Sequence, residues 1–271
     1  MKSLQDRINE LANSLGKDPH IDDSFDYMAR RKQYDELANQ EIQKLQRETK
    51  QHRVEQLHGQ SELNPKWTFN TLVEDADDVS TAINIARSFI AAHEDPVWRG
   101  SRSHMMIFYG DYGRGKSHIA GAIAHELINK FETTVLYRQL QTLLEQRFSS
   151  YDYQANDNAA QKFREVNKQL QEVDLLILDE VCVNETLLKK SAQSWLGNLL
   201  RQRLVNHKNC ILITNHNLQE LETALGRYCF ESIKEYDTYK VHFQGPSRRK
   251  NITPSTAESS NQSSNYTPNQ F

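Results

Sequence analysis

A glycine-rich segment between an apolar run and a helical pattern constrains this chain more than any other feature. Three of its ten glycines, Gly110, Gly113 and Gly115, fall within the six residues that precede Lys116 and Ser117. The segment fits G-x-x-x-x-G-K-[ST] without mismatch. Glycine lets the backbone turn its N–H groups onto an anion, and a following helix directs its positive end to the same point. The pattern predicts a phosphate-binding loop; the alternative is a flexible glycine turn.

The lysine and serine of this loop have defined tasks toward a nucleotide. The Lys116 ammonium would reach the β- and γ-phosphates of ATP, and the Ser117 hydroxyl would ligate Mg²⁺. The context agrees, because the apolar run "MMIFYG" predicts a strand before the loop and an apolar helical pattern follows it.

Two later apolar runs end in polar residues that suit ATP hydrolysis. Asp179 and Glu180 end "VDLLILDE", and Thr214 and Asn215 follow "ILI". Asp179 would hold Mg²⁺ through water, and Glu180 would polarise the attacking water. A polar side chain at the end of the later strand, Thr214 or Asn215, could orient that water near the γ-phosphate. The alternatives are a strand that ends in solvated acids and a simple asparagine turn.

The stretch from about residue 64 to 245 alternates strand-like and helix-like patterns. The continuous apolar runs "VDLLILDE" and "NCILIT" are typical of strands buried on both faces of a parallel sheet. "TTVLYRQL" predicts a further strand, and helical patterns surround Phe89 and Trp195. This alternation predicts an α/β fold with a parallel sheet.

Residues 1–62 combine helical periodicity with a narrow apolar stripe. The stripe residues are Leu4, Ile8, Leu11 and Leu15, then Tyr34, Leu37, Ala38, Ile42 and Leu45. A narrow stripe on a polar helix needs a partner to bury it. Two interpretations stay open, a helical hairpin packed on its own domain and a separate partner-binding module. The polar segment "HGQSELNP" predicts the linker that ends this region.

Composition limits the class of protein and its location. The net charge of −3 excludes a globally basic nucleic-acid binder, so any DNA site is local. The three cysteines are odd in number and far apart, which suits a reducing compartment. No apolar run approaches the ~18 residues of a membrane span. We therefore expect a cytoplasmic protein without a membrane segment. Residues 251–271 are mostly polar and predict a disordered tail.

The three motifs together resemble a known family. The order and spacing of "GDYGRGKSH", "VDLLILDEV" and "ILITNHN" are similar to the AAA+ ATPases of the DnaC/DnaI helicase-loader group, to which the transposition helper IstB also belongs. Similarity continues upstream in "NPKWTFNTLVEDADDVSTAINIARSFI" and downstream in "LETALGRYCFESI" and "VHFQGPSRRK". The resemblance covers roughly residues 64–250 and implies an AAA+ ATPase domain over 63–250, preceded by a small α-helical region.

The resemblance assigns roles to matching residues. The nucleotide-binding set becomes Gly110, Gly113, Gly115, Lys116, Ser117, His118 and Asp179, with Ser117 and Asp179 also serving Mg²⁺. Asp179 and Glu180 form the Walker B pair, and Asn215 is the sensor 1 residue. The family's arginine finger corresponds to Arg227, displaced by one position in "LGRY". Its sensor 2 arginine corresponds to Arg248, with Arg249 as the rival.

The resemblance also implies partners. Residues 1–62 would bind a hexameric replicative DNA helicase. The ATPase domain would contact single-stranded DNA, and the segment "RRK" that begins at Arg248 is the candidate patch. The ATPase domain would also self-associate. The expected function is ATP-dependent loading of that helicase onto DNA. Two alternatives stay open: an IstB-like transposition ATPase, and a helicase-binding adaptor that uses ATP only as a structural ligand.

Overall fold

The computed structural model describes residues 4–16, 27–74, 76–151, 157–182 and 188–248. The predicted disordered tail 251–271 and Arg249 lie outside the described residues, as do the side chains of Leu4 and Ile8. Within the described ranges, no helix has both the length and the apolar character that crossing a membrane requires.

The chain divides into two compact units, Met1–His52 and Arg53–Phe271. The first contains helix α1 (Leu4–Ser14) and most of the long helix α2 (Tyr27–Gln60). Helix α2 is rich in the strong helix formers Gln, Glu, Lys, Arg, Leu and Ala and contains no proline. Its predicted apolar stripe is exposed, since each of these side chains is at least half accessible: Tyr34, Leu37, Ile42 and Leu45.

The second unit begins before the linker that the sequence suggested near residue 62. Val54 and Leu57, in the last turns of α2, are buried, and Leu57 belongs to a core cluster of this unit. The Glu62 carboxylate accepts hydrogen bonds from Gln139 N at 2.8 Å and Arg138 Nε at 3.0 Å. The end of α2 is therefore part of the α/β unit, because its side chains complete that unit's packing.

The described part of the second unit is built on a five-stranded parallel sheet. The strands are β1 (His104–Tyr109), β2 (Val135–Gln139), β3 (Leu175–Asp179), β4 (Asn209–Thr214) and β5 (Asp237–His242). Their order across the sheet is β2-β3-β4-β1-β5. Strands β3 and β4 are buried along their whole length, as their continuous apolar sequences predicted.

Helices cover both faces of the sheet. They are α3 (Asp77–Ala92), α4 (Pro96–Ser101), α5 (Lys116–Phe131), α6 (Leu140–Ser149), α7 (Asp157–Glu172), α8 (Lys190–Val205) and α9 (Leu218–Lys234). Apolar residues of α3 and α5 pack on one face, and those of α6, α8 and α9 pack on the other. The resulting α/β/α layering confirms the predicted fold class and brings the carboxyl ends of the parallel strands to one edge, where such sheets bind ligands.

One charged side chain is part of this core. Arg203 on α8 is fully buried. Its guanidinium donates to three backbone carbonyls, Leu170 O at 2.6 Å, Val173 O at 3.0 Å and Asn209 O at 2.5 Å. Two of these carbonyls lie at the end of α7, where the helix dipole favours a positive charge. Arg203 thus joins α7, α8 and β4.

Candidate functional site

The glycine-rich loop connects β1 to α5 and has the conformation that its glycines predicted. Gly110, Gly113 and Gly115 all have positive φ angles, of 125°, 75° and 91°. A Cβ atom on Gly110 would lie 2.2 Å from Phe243 O, so this position requires glycine for space as well as for backbone angle. Helix α5 begins at Lys116, which places its first N–H groups at the loop.

Lys116 is buried and lies where two strand ends meet. Its ammonium donates to Gly110 O at 2.6 Å, Asp111 O at 2.7 Å and Asn215 Oδ1 at 2.8 Å. Asn215 directly follows β4, the neighbour of β1 in the sheet. The structure therefore brings the predicted phosphate-binding lysine and the predicted sensor asparagine into direct contact.

The Asp179 carboxylate is buried at the end of β3 and is held on both oxygens. Its Oδ1 accepts from Glu180 N at 2.7 Å, and its Oδ2 accepts from the Tyr137 hydroxyl. The Ser117 side chain is near the same Tyr137 hydroxyl. Burial raises the pKa of Tyr137 and the neighbouring Asp179 charge raises it further, so the phenol stays protonated and donates.

Tyr137 is a site residue that the sequence analysis did not single out. It lies on β2 and pairs with Ile177, two residues before Asp179 on β3. Side chains two apart share a face of a sheet, so Tyr137 and Asp179 point to the same side. The local sequence VLYRQ of β2 is only partly apolar and carries no signal for this role.

Glu180 has an unusual backbone conformation. Its φ of 54° lies in the left-handed region that glycine favours. The residue after it is fixed on both backbone groups: Val181 N donates to Ile213 O at 2.9 Å, and Val181 O accepts from Thr214 Oγ1 at 2.8 Å. These bonds hold the turn after β3 against β4, and Glu180 lines the cleft at this edge of the sheet.

The cleft has a volume of about 400 Å³, within the usual range for small-molecule sites. One wall comes from the segment before α3, with Trp67, Leu72 and Val73 as apolar lining. His118 also lines the cleft, and its Nε2 lies 3.0 Å from both Thr71 Oγ1 and Thr68 O. His118 therefore holds this wall in place through its ring nitrogen.

A carboxyl-terminal segment closes the other side of the cleft. Arg248 N donates to Gly113 O at 2.7 Å, and Arg248 Nη1 donates to Arg114 O at 2.5 Å. Arg114 pairs with the Asp111 carboxylate within the loop and donates to Phe243 O at 2.7 Å. The glycine-rich loop is thus bonded to the segment after β5 at several points, and Arg248 faces the cleft.

Asp78, at the start of α3, holds that segment. Its carboxylate accepts from Gln244 N at 2.8 Å and from Gly245 N at 3.0 Å, and lies 3.8 Å from Arg248 Nη2. Burial alone would raise the pKa of Asp78, but these backbone N–H groups and its own neighbour Val79 N outweigh burial and hold the pKa below its usual value.

Arg227 lies outside the described lining of this cleft. It is exposed on α9, directly after Gly226, whose φ of 74° interrupts the helix. Among the described residues, the structure therefore gathers the predicted site residues at the glycine-rich loop and its cleft, with the exception of Arg227.

The residues present fit a nucleotide and a magnesium ion. The glycine-rich loop, the α5 amino end and the Lys116 ammonium lie together, and this combination suits a phosphate group. Ser117 and Asp179 supply hydroxyl and carboxylate oxygens, the hard donors that Mg²⁺ prefers, and Tyr137 holds the Asp179 carboxylate.

Comparison with known proteins agrees with this geometry. A family model described as "Bacterial DnaA ATPAse domain" matches residues 63–228. The uncharacterized protein YdaV of Escherichia coli K12 is 25% identical over 251 residues, covering 91% of this chain and 93% of YdaV. The replicative helicase loader DnaC of the same strain is 21% identical over 257 residues, covering 93% of this chain and 98% of DnaC.

Among solved structures, the crystal structure of DnaI shares the fold, with a TM-score of 0.54 and 20% identity over 67% of this chain and 90% of that one. Because the family model covers more than half of the residues, this chain belongs to the bacterial DnaA ATPase-domain family, and it is a DnaC/DnaI-like AAA+ protein.

Proposed function

We propose that this protein is an ATPase that loads a replicative DNA helicase onto DNA. One observation carries the proposal: Lys116, Asn215, Asp179 and Glu180 meet at the carboxyl ends of β1, β3 and β4, in the arrangement that ATP hydrolysis requires. The similarity to the loader DnaC spans almost the whole of both chains, including the helical region before the ATPase domain.

The site residues divide the work of hydrolysis among them. Lys116 and the α5 amino end bind the phosphates, and Arg248 reaches the same cleft from the carboxyl-terminal segment. Ser117 and Asp179 would hold Mg²⁺, which neutralises phosphate charge when bound. Glu180 polarises the attacking water, and Asn215, held by Lys116, orients it near the γ-phosphate.

Self-association would supply the arginine finger, which the cleft of a single chain does not contain among its described lining residues. Arg227 is exposed and stands apart from the cleft of its own chain. An arginine in this position acts only by reaching the nucleotide of a neighbouring subunit, where it stabilises transition-state charge. We assign this role to Arg227 and assign the assembly of subunits to ATP binding.

Single-stranded DNA would bind beside Glu180. Of the predicted patch, Arg248 is turned onto the glycine-rich loop, and Arg249 and Lys250 lie outside the described residues. A second cleft of about 640 Å³ includes Glu180, Arg147, Phe148 and Lys189 in its described lining. Phe148 is 70% exposed, and the Lys189 ammonium lies 5.2 Å from its ring centre. Exposed aromatic rings with adjacent cations stack bases and bind phosphates. Unchanged DNA affinity in Phe148→Ala would exclude this surface.

The helicase would bind the exposed stripe of α2, because such a stripe is the pattern of a helix that docks in a partner's groove.

We further infer a cytoplasmic location. Cys182, Cys210 and Cys229 are free and buried, and burial raises the pKa of Cys182 and Cys229 to about 12, so both thiols stay protonated.

The test is a loading assay with the replicative helicase of the same cell on single-stranded circular DNA that carries an annealed oligonucleotide, with and without ATP. The unaltered chain is expected to increase helicase-dependent strand displacement. Glu180→Gln is expected to bind ATP but to hydrolyse it ~10²–10⁴-fold more slowly, and Lys116→Ala is expected to lose ATP binding. Full loading by Glu180→Gln would favour the adaptor alternative. Binding to a transposase and duplex DNA instead would favour the IstB-like one.

A further inference from the structure

Tyr137 bonds to one of the two side chains expected to serve Mg²⁺. Its ring is almost fully buried, with 2% of its surface exposed, and packs 5.6 Å from the Trp67 ring. Its hydroxyl donates to Asp179 Oδ2. A phenylalanine would fill the same apolar space, so the hydroxyl needs an explanation beyond packing.

The explanation lies in the orientation of the Asp179 carboxylate. Oδ1 is fixed by Glu180 N at 2.7 Å, and Oδ2 is fixed by Tyr137. With one bond on each oxygen, the carboxylate cannot rotate about its terminal bond without losing both. Side chains that hold metal ligands in this way usually contribute strongly to metal affinity.

We propose that Tyr137 is a positioning residue of the magnesium site: its hydroxyl holds the Asp179 carboxylate in the orientation that binds the Mg²⁺ of the Mg²⁺–nucleotide complex. The inference rests on the proposed ATPase function. Tyr137 does not contact the phosphates or the attacking water in this assignment, so it changes affinity for the metal and leaves affinity for the bare nucleotide intact.

A second buried tyrosine offers a matched control. Tyr236 is 5% exposed, and its hydroxyl donates to Leu200 O at 2.5 Å on the opposite face of the sheet. Tyr137→Phe and Tyr236→Phe each remove one buried hydroxyl that makes a hydrogen bond. Any general effect of that loss on folding appears in both variants, whereas an effect on Mg²⁺ appears only in Tyr137→Phe.

The experiment measures binding of a fluorescent ATP analogue to the full-length chain, first in EDTA and then over a Mg²⁺ titration. For Tyr137→Phe we expect unchanged affinity in EDTA and a Mg²⁺ half-saturation point raised by roughly 10-fold or more. For Tyr236→Phe we expect both values to match the unaltered chain. A Mg²⁺ half-saturation point that stays unchanged in Tyr137→Phe overturns the inference, as does an equal loss of affinity in EDTA.

A double variant separates this role from a local structural one. If Tyr137 acts through Asp179, adding Tyr137→Phe to Asp179→Asn leaves the Mg²⁺ response of Asp179→Asn unchanged. Additive losses contradict the inference. The two proposals fail differently: an unaltered chain that binds no nucleotide sinks both, whereas Mg²⁺-dependent binding that Tyr137→Phe leaves intact sinks only this one.

Discussion

The Asp78 carboxylate connects the start of α3, the segment after β5 and, through Arg248, the glycine-rich loop. Because Arg248 approaches the cleft only when this segment is in place, a residue far from the phosphates controls one wall of the site. The Asp78 side chain is mostly buried, and its bonds to Gln244 N and Gly245 N need an ionised carboxylate to be at full strength.

Asp78 therefore predicts a pH dependence of stability. Its pKa is depressed in the folded chain, so its stabilisation is present above the ordinary aspartate pKa near 3.8 and is lost as pH falls through the lower folded value. Asp78→Asn is expected to lower the melting temperature at pH 7 and to flatten the acid limb below about pH 4. Asp77→Asn, exposed in the same helical turn, is the control and is expected to change neither. Equal melting curves for the two variants would contradict the assignment.

Among the elements, some strands could be predicted from sequence patterns and one could not. β1, β3 and β4 could be predicted, because strands buried on both faces have continuous apolar sequences, and the start of α5 at Lys116 followed from the loop motif. β5 was not predicted: it is an edge strand with four partly or fully exposed polar residues, so its sequence lacks the buried pattern.

The candidate site likewise contains contacts that could be predicted from the sequence and contacts that could not. The meeting of Lys116, Asp179 and Asn215 followed from strand ends, because parallel strands bring their carboxyl ends to one edge. Tyr137 and Asp78 could not be predicted, because their partners depend on strand order and on where the chain returns after β5. Neither is encoded by local spacing.

At the level of elements, replacing the Arg203 side chain is expected to cause a large and specific loss of stability. Arg203→Ala removes a buried guanidinium and leaves three carbonyls of α7 and β4 without that donor. A buried polar group left unsatisfied costs about 1–3 kcal/mol, so the free energy of unfolding is expected to fall by at least that amount in urea titrations. Arg201→Ala removes an exposed ion pair with Glu235 from the same helix and is expected to change it by under about 0.5 kcal/mol. Equal losses would show that Arg203 does not join these elements.

At the scale of the whole molecule, the proposed partner-binding stripe and the candidate nucleotide cleft lie in different units of the chain. The exposed stripe belongs to Met1–His52, and the cleft belongs to Arg53–Phe271. A truncated ATPase unit is best begun at Arg53, because Val54 and Leu57 are part of its core. A chain that begins at Glu62 lacks both side chains and is expected to be less stable.

The division predicts that helicase binding and ATP binding can be lost separately. Leu37→Asp with Leu45→Asp is expected to abolish helicase capture and to leave ATP affinity unchanged, since a carboxylate in an apolar contact costs several kcal/mol. Gln40→Asp with Gln43→Asp adds the same charge on the opposite side of α2 and is expected to retain capture. Capture that survives the leucine changes would place the helicase contact elsewhere.

The left-handed backbone at Glu180 has a consequence for how this protein would respond to selection. A non-glycine residue in that conformation costs roughly 1–2 kcal/mol, so Glu180→Gly is expected to raise the melting temperature by about 2–8 °C. Glu180→Gln, which keeps the Cβ atom and therefore the strain, is expected to leave it unchanged. A library of variants screened for heat resistance alone would therefore enrich glycine at position 180 and lose the proposed catalytic carboxylate. A screen for ATP turnover would instead restore glutamate and lower the melting temperature.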